Sequence, residues 1–177
     1  MSSRIVIALP LGGILFLSIP MSARAQQTAP PPTQCHHAAT ADSHEGMMAR
    51  GEKGMGFSQT KTAHHFLLKP DGGVIAVSVN DPKDAESRDQ IRMHLTHIAK
   101  AFAQGDFDIP MFVHDQVAPG VPVMKRMSTQ IQYLFKQTDD GGQVSLSSPS
   151  PEAVAAIHDF LKFQIREHKT GDPVEVE

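Results

Sequence analysis

The sequence has no tryptophan, a single tyrosine and a single cysteine. With Tyr133 alone, it lacks the aromatic side chains on which a sugar or a nucleic-acid base usually stacks. Because Cys35 has no partner cysteine in the chain, an internal disulfide is excluded, even in an oxidising compartment. These scarcities argue against a carbohydrate- or base-stacking platform and against a disulfide-stapled scaffold.

The motifs of the common enzyme classes are also missing. The chain has no Gly-x-Ser-x-Gly, no Gly-rich phosphate loop, no His-Glu-x-x-His, no Cys-x-x-Cys and no dinucleotide fingerprint. The pair His94-x-x-His97 lacks the glutamate that a zinc hydrolase would use as general base. A metal-dependent hydrolase using Asp106, Asp108 or Asp115 is the weakest of the alternatives, and we do not predict an enzyme.

The first 25 residues have the pattern of an export signal. Arg4 supplies a positive charge, residues 5–19 form an apolar run, and Ala23-Arg24-Ala25 is a small-x-small cleavage pattern. The apolar run is short for a membrane span, and no second one follows it. We therefore predict cleavage after Ala25 and a periplasmic or secreted protein without a membrane span.

Removal of this signal makes the chain more acidic. It takes away Arg4 and Arg24 and no acidic residue, so 14 basic and 19 acidic side chains remain and the formal charge is −5. A net negative charge does not suit nucleic-acid binding. The remaining chain of about 150 residues is long enough for one domain with its own core.

Residues 26–54 are small, polar and proline-rich, with almost no branched aliphatic side chain. Such a segment cannot bury a core, and we interpret it as a flexible linker. Sulfur donors suit Cu(I) and imidazole suits Cu(II) or Zn(II), so the segment is also a candidate metal collector. The alternative is a tether in which these donors are incidental. The donors are Cys35, His36, His37, His44, Met47 and Met48, and Met55 follows them.

Residues 55–172 are predicted to form a single α+β domain, followed by a tail over 173–177. A β-hairpin is predicted over 63–79, followed by a helix through Ile91 and a Gly-Asp break. The same order recurs in residues 131–171. The pattern predicts a tandem ββα duplication, with an antiparallel sheet or paired hairpins and two helices on one face.

The connection between the two predicted units covers residues 107–128. It contains three prolines and Gly120, which favour an extended, stiff path rather than a helix. It also carries His114. Because loops that break the symmetry of a repeat are where binding sites are often added, we regard His114 as a candidate site residue.

Two further candidates lie on the first predicted helix. His94 and His97 flank its apolar stripe of Ile91, Leu95, Ile98 and Phe102, and their spacing lets two imidazoles share an ion. Superposing Ile91 on Ile157 aligns them with Phe160 and Phe163. We therefore predict that both histidines are at least partly covered.

Strand alternation directs His64 toward the helices and His65 outward. The predicted metal site is therefore His64, His94, His97 and His114, with His65, Met93 and Met111 as auxiliary donors together with the linker residues. On the second helix, His158 lies among core residues and His168 lies in the last turn, where the helix dipole favours a cation, so both are interpreted as structural.

The runs MHLTHIAKAFAQGDF, HDQVAPGVPVM and IHDFLKFQIREHKTGDP resemble a group of small exported bacterial proteins of unknown role. The resemblance covers most of the chain after Gly54. That group is sometimes automatically labelled aspartate carbamoyltransferase, but the Ser-Thr-Arg-Thr and His-Pro-Thr-Gln segments of such transferases are absent here. The resemblance therefore implies an exported protein and supplies no catalytic residues.

Taken together, the sequence predicts a periplasmic metal-binding protein, with copper favoured over zinc because of the methionines. The alternative is a module that binds a small molecule or a partner in a crevice beside the first helix, floored by Phe66 and walled by the 107–128 connection. No nucleic-acid partner is predicted. The oligomeric state stays open, with a homodimer as one alternative.

Overall fold

The computed structural model describes residues 41–176, with side chains from residue 45 onward. The predicted signal peptide and Cys35, His36 and His37 lie outside the described residues. Single turns of 3-10 helix at Gln59–Lys61 and Ser128–Gln130 lead into two of the strands. The elements are, in order, α1 (Ala41–Met55), β1 (Thr62–Lys69), β2 (Gly72–Val79), α2 (Ala85–Ala103), α3 (Asp108–His114), α4 (Val121–Arg126), β3 (Gln132–Gln137), β4 (Gly141–Ser147) and α5 (Pro151–His168).

The four strands form one antiparallel sheet in the order β1-β2-β4-β3. The two hairpins therefore join through their second strands, with Ile75 opposite Val144 at the centre of the β2–β4 pair. Alternate residues of the inner strands are buried, as expected for a sheet covered on one face. The predicted α+β class and antiparallel sheet are confirmed.

Both long helices pack on the same face of the sheet. Helix α2 contacts β2, β3 and β4, and α5 contacts β1 and β2. Their buried stripes include Ile91 and Leu95 on α2 and Ile157 and Leu161 on α5, each at most 1% exposed. Gly73 lets α5 approach closely, because a Cβ atom there would collide with the side chain of Leu161.

The order ββα occurs twice, in β1-β2-α2 and in β3-β4-α5. The hairpins also share a pairing, since Phe66 lies opposite Ile75 in the first and Phe135 lies opposite Val144 in the second. The element order agrees with the predicted repeat. An origin by duplication stays a prediction.

The predicted flexible linker over 26–54 is wrong in its second half, because residues 41–54 lie within helix α1. The helix is held by contacts rather than by its own apolar content. Met47 and Gly51 are buried, and Arg50 Nε donates a hydrogen bond to the Val113 carbonyl oxygen at 3.0 Å. Tertiary packing of this kind stabilises a helix that its composition would not predict.

The predicted extended path of the 107–128 connection is also wrong, because it contains α3 and α4. Two of its prolines, Pro110 and Pro122, lie in the first turns of these helices, where the missing N–H would have no helical partner. The Asp106 side chain accepts a hydrogen bond at 2.9 Å from the backbone N–H of Asp108, the first residue of α3. The chain therefore turns over the sheet as two short helices.

No helix within residues 41–176 is long and apolar enough to cross a membrane.

Candidate functional site

A cavity of about 70 Å³ lies between α2 and α5. Strands β1 and β2 form its floor, and α3 and the end of α1 complete its wall. This is the position predicted for a crevice beside the first helix, floored by Phe66. The lining residues are mostly apolar, and the polar ones among them are His64, His94, His114, Gln164 and His168.

Four elements each contribute one histidine to this cavity: His64 from β1, His94 from α2, His114 from α3 and His168 from α5. Three of these four belong to the predicted metal site. Strand alternation carries His64 to the helix side, as predicted, and leaves His65 exposed on the other side. Residues far apart in the chain thus converge on one place.

Three of the imidazoles are in direct contact. The ring centres of His64 and His168 are 5.5 Å apart, with nearly parallel planes, and those of His168 and His114 are 5.1 Å apart at 89°. His168 therefore lies between the other two. Phe66 and Phe163 flank this group, with ring-centre distances of 5.5 Å to His168 and 4.9 Å to His114 respectively.

Phe57 covers the group from the α1 side. Its ring stacks on His64 at 6.0 Å and meets His94 edge-on at 5.6 Å, and only 4% of the residue is exposed. Burial lowers the pKa of His64 to about 4, with a further contribution from His65, and it lowers the pKa of His94 to about 4, with contributions from His64 and His97. Both imidazoles are therefore neutral at pH 7.

His114 is 6% exposed, and its tautomer can be assigned from its contacts. Its Nε2 lies 2.9 Å from Oε1 of Gln164, and since a carbonyl oxygen only accepts, Nε2–H is the donor. Nδ1 of the neutral ring then carries the lone pair. Burial lowers the pKa of His114, although the Gln164 hydrogen bond and the Glu167 carboxylate oppose this effect.

Two imidazole nitrogens at the cavity lack hydrogen-bond partners. They are Nε2 of His64 and Nδ1 of His114, both buried, and the nearest carboxylate to the latter is Glu167 Oε2 at 4.0 Å. An unpaired buried polar atom carries a desolvation cost that a bound ligand or ion can offset. Neutral imidazoles with free lone pairs are also the form that ligates metals.

The fourth predicted ligand, His97, does not join this group. It is exposed and is not among the residues that line the cavity, so the prediction that His97 is covered is wrong. Three residues correspond to about 300° around a helix, which carries His97 past the buried stripe while His94 stays at its edge. The Phe-for-His comparison thus holds for His94 and fails for His97.

The auxiliary candidates lie elsewhere. Met93 is 69% exposed, and Met111 and Met48 are partly buried outside the cavity lining. Met47 is buried at 3% exposure but likewise does not line the cavity. His65 donates a hydrogen bond from Nδ1 to Asp172 Oδ1 at 2.8 Å on the surface. The side chain of His44 lies outside the described ones.

Sequence reasoning missed His168 and Gln164 as site residues. The sequence indicates a dipole-stabilised His168 in the last turn of α5, yet its ring contacts His64, Phe66 and His114. A signal was present, because His168 aligns with buried Phe102 when Ile157 is superposed on Ile91. His158 has the structural role that was predicted, since its Nε2–H donates to the Lys69 carbonyl oxygen at 2.9 Å.

Among the described residues, no group of three or more His, Cys, Asp or Glu side chains is positioned to hold a metal ion. No protein-family model, curated protein or solved structure matches the chain. The resemblance to small exported bacterial proteins therefore stays a prediction.

Proposed function

We propose that this is an exported metal-binding protein and that His64, His114 and His168 form its site, with His94 beside them. Copper is the favoured ion and zinc the alternative, as the residue chemistry predicts. The export pattern of residues 1–25 supports a role outside the cytoplasm. His97, included in the site on spacing alone, is left out because it is exposed.

The observation that carries the proposal is the contact of three histidines from three different elements in one partly buried group. Imidazoles of His64 and His114 have unpartnered nitrogens there. A core built only for stability would fill these positions with apolar side chains, because each unpaired nitrogen costs about 1–3 kcal/mol. A shared ion would satisfy both nitrogens at once.

The spacing of the rings fits this proposal. Two imidazoles bound to one tetrahedral ion have their ring centres about 5 Å apart, given metal–nitrogen bonds of about 2 Å. The two contacts of His168 are 5.5 and 5.1 Å. The nitrogens would reach a common point only after the rings turn about their side-chain torsions, so we expect binding to be accompanied by a local rearrangement.

The test is metal titration and native mass spectrometry of the mature chain. Wild-type protein should bind one copper ion per chain, and His64→Ala/His168→Ala should weaken binding by at least about 100-fold, since two ligands are lost. His97→Ala, an exposed histidine on α2, is the matched control and should bind like wild type. Circular dichroism of each variant checks that the fold is kept.

Donors outside the cavity need a second control. The variant Cys35→Ala/His36→Ala/His37→Ala removes three of them while leaving the histidine group intact. It should keep the tight site. Absence of any metal bound at micromolar concentration, or undiminished binding by the His64/His168 variant, would overturn the proposal.

A second function is favoured by the apolar lining of the cavity. Its walls include Phe66, Ile98, Phe102, Val113 and Phe160, so a small, mostly apolar molecule could be held there with the histidines as hydrogen-bonding groups. Native mass spectrometry of the protein as purified separates the two readings. An organic adduct with no metal would support the small-ligand function, whereas a metal adduct that disappears in the His64/His168 variant would contradict it.

A further inference from the structure

The donors around the cavity include one that the histidine group does not contain. Met55, the last residue of α1, lines the same cavity as His64, His114 and His168, and it is the single sulfur-containing residue among the lining residues. A thioether is a soft, neutral ligand that suits Cu(I). The lining therefore combines imidazoles with a thioether.

No carboxylate lines this cavity within the described residues. The closest one to a site nitrogen, Glu167, keeps 39% of its side chain exposed and reaches only to 4.0 Å from His114 Nδ1. Neutral imidazoles and a thioether supply no negative charge. An ion that enters this cavity therefore keeps its full charge in mostly apolar surroundings.

The charge of the ion then decides which metal is favoured. The cost of transferring an ion from water into a low-dielectric site increases with the square of its charge, so a divalent ion costs about four times as much as a monovalent ion of the same size. Zn(II) and Cu(II) sites usually offset this cost with thiolate, carboxylate or water oxygen ligands. Cu(I) carries about a quarter of this cost and needs correspondingly less compensation.

Met55 is held close to the histidines by direct contacts between elements. Arg50 of α1 donates to the carbonyl of Val113, the residue next to His114, and a Cβ atom at Gly54 would lie 3.3 Å from the Val113 side chain. Two residues after Met55, Phe57 packs on His64 and His94. The end of α1 thus lies over the histidine group.

We propose that the thioether of Met55 is a ligand of this site and that the site takes copper as Cu(I) in preference to Zn(II) or Cu(II). This inference rests on the proposed metal-binding function and adds a ligand and an oxidation state to it. Helix α1 then contributes a donor to the site, in addition to its packing on α3.

The test is an anaerobic titration of the full mature chain with Cu(I) and, separately, with Zn(II), each against a chelator of known affinity. Wild-type protein should bind Cu(I) at least about 100-fold more tightly than Zn(II). Met55→Leu keeps the size of the side chain and removes the sulfur, and it should lower the Cu(I) affinity by at least about tenfold while changing the Zn(II) affinity by less than about threefold. Met111→Leu is the matched control, because Met111 is also partly buried but lies outside the cavity lining.

X-ray absorption at the copper edge adds a readout that does not depend on affinity. Copper bound to wild type and to Met111→Leu should show a sulfur neighbour, and copper bound to Met55→Leu should show only nitrogen neighbours. If histidine-dependent copper binding persists with no sulfur neighbour in wild type, or if Zn(II) binds as tightly as Cu(I), this inference is overturned while the proposed function stands. If neither metal binds, or if the His64/His168 variant retains both, the proposed function itself is overturned.

Discussion

Helices α2 and α5 cover the same sheet in similar ways, yet they differ where they meet the cavity. When Ile91 is superposed on Ile157, Leu95 aligns with Leu161, and all four are buried core residues. One turn further on, α2 has Ile98 and α5 has Gln164.

The contrast continues at the ends of the two helices. Phe102 of α2 packs against Phe107 with ring centres 4.3 Å apart, whereas the aligned His168 of α5 packs against His64 and His114. The first halves of both helices thus support the fold, while the second half of α5 has Gln164 and His168 where α2 has the buried Ile98 and Phe102. The candidate site thus depends on polar side chains at two positions of α5 where the aligned positions of α2 are apolar.

The largest expected effect is a difference in stability between alanine variants of the two aligned residues Phe102 and His168. Phe102→Ala should destabilise the protein by about 3–5 kcal/mol, because it empties a packed aromatic position. His168→Ala should cost about 1 kcal/mol or less, because it removes a partly exposed residue, but it should lower the copper affinity by at least about tenfold. Denaturant unfolding and copper titration of both variants measure the two effects. Equal losses of stability would contradict the division into core and site.

The next effect concerns pH and the histidines of the first unit. Burial lowers the pKa of His64 and His94 from 6.5 to about 4, so the unfolded chain takes up their protons before the folded one does. Stability from these groups is fully present above pH 6.5 and is lost as the pH falls toward 4, by on the order of 3 kcal/mol for each histidine.

The variant His94→Gln removes one of these titrating groups and should reduce the loss of stability between pH 6.5 and pH 4 by on the order of 3 kcal/mol. His97→Gln, on the exposed side of the same helix, is the control and should change that loss much less, because His97 is the smallest of the three contributors to the lowered pKa of His94. Urea unfolding at a series of pH values makes the measurement. A His94→Gln profile as steep as that of wild type would mean that His94 is not buried as described.

Local periodicity explains why so much of the fold was predictable. The strand and helix patterns of residues 63–79, 85–103 and 131–168 arise from alternation and helical spacing within a few residues, and all of the corresponding elements are present. Helices α1, α3 and α4 were not predicted. The first two depend on contacts such as that of Arg50 with Val113, which are distant in sequence. The composition of residues 41–55 does not predict that contact.

The site was predicted only in part, for the same physical reason. His64 and His94 could be selected because alternation and the Phe160 comparison direct them toward the helix layer. The contact of His168 with His64 and the Gln164 hydrogen bond to His114 depend on how the ends of α5 and α3 meet. No pattern within a single element predicts these contacts between elements. The sequence therefore indicates only a helix-end role for His168 and no site role for Gln164.

A smaller effect compares the two hairpins at Gly73 and Gly142, which lie opposite Leu146 and Val77 respectively. A Cβ atom at Gly73 would press on the backbone oxygen of Leu67 and on Leu161, whereas one at Gly142 would meet the ring of Phe135 at 2.7 Å. The Phe135 ring can rotate away from an added methyl group, whereas the Leu67 carbonyl, as part of strand β1, cannot. Gly73→Ala should therefore cost about 2–3 kcal/mol and Gly142→Ala about 1 kcal/mol.

Thermal or denaturant unfolding of the two alanine variants tests this difference. The measurement also bears on the predicted repeat, because it shows whether the second hairpin tolerates an alanine at Gly142 better than the first hairpin tolerates one at Gly73. Equal costs would indicate that Gly73 and Gly142 are equally tightly surrounded. The stated asymmetry would then be wrong.

The smallest expected effect concerns Asp172, whose side chain hydrogen-bonds the segment after α5 to strand β1. Its carboxylate accepts hydrogen bonds from the Phe66 backbone N–H at 2.9 Å, from His65 at 2.8 Å and from the Thr170 hydroxyl at 2.6 Å. Burial alone would raise the pKa of Asp172, but the hydrogen bonds from Thr170, His65 and Phe66 outweigh it and lower the pKa.

Because the carboxyl pKa is lowered on folding, the contribution of Asp172 is present above pH 3.8 and is lost as the pH falls. Asp172→Ala should therefore cost about 1 kcal/mol at pH 7 and progressively less in acid. His168 lies only four residues before Asp172, so the variant should also weaken copper binding. The loss should be a few-fold at most, because His168 keeps its packing on Phe66. Asp159→Ala, an exposed carboxylate on α5, should change neither quantity. Wild-type stability and copper affinity in Asp172→Ala would contradict this prediction. The end of α5 would then be held by its core contacts alone, and helix α5 rather than the segment that contains Asp172 would set the position of His168.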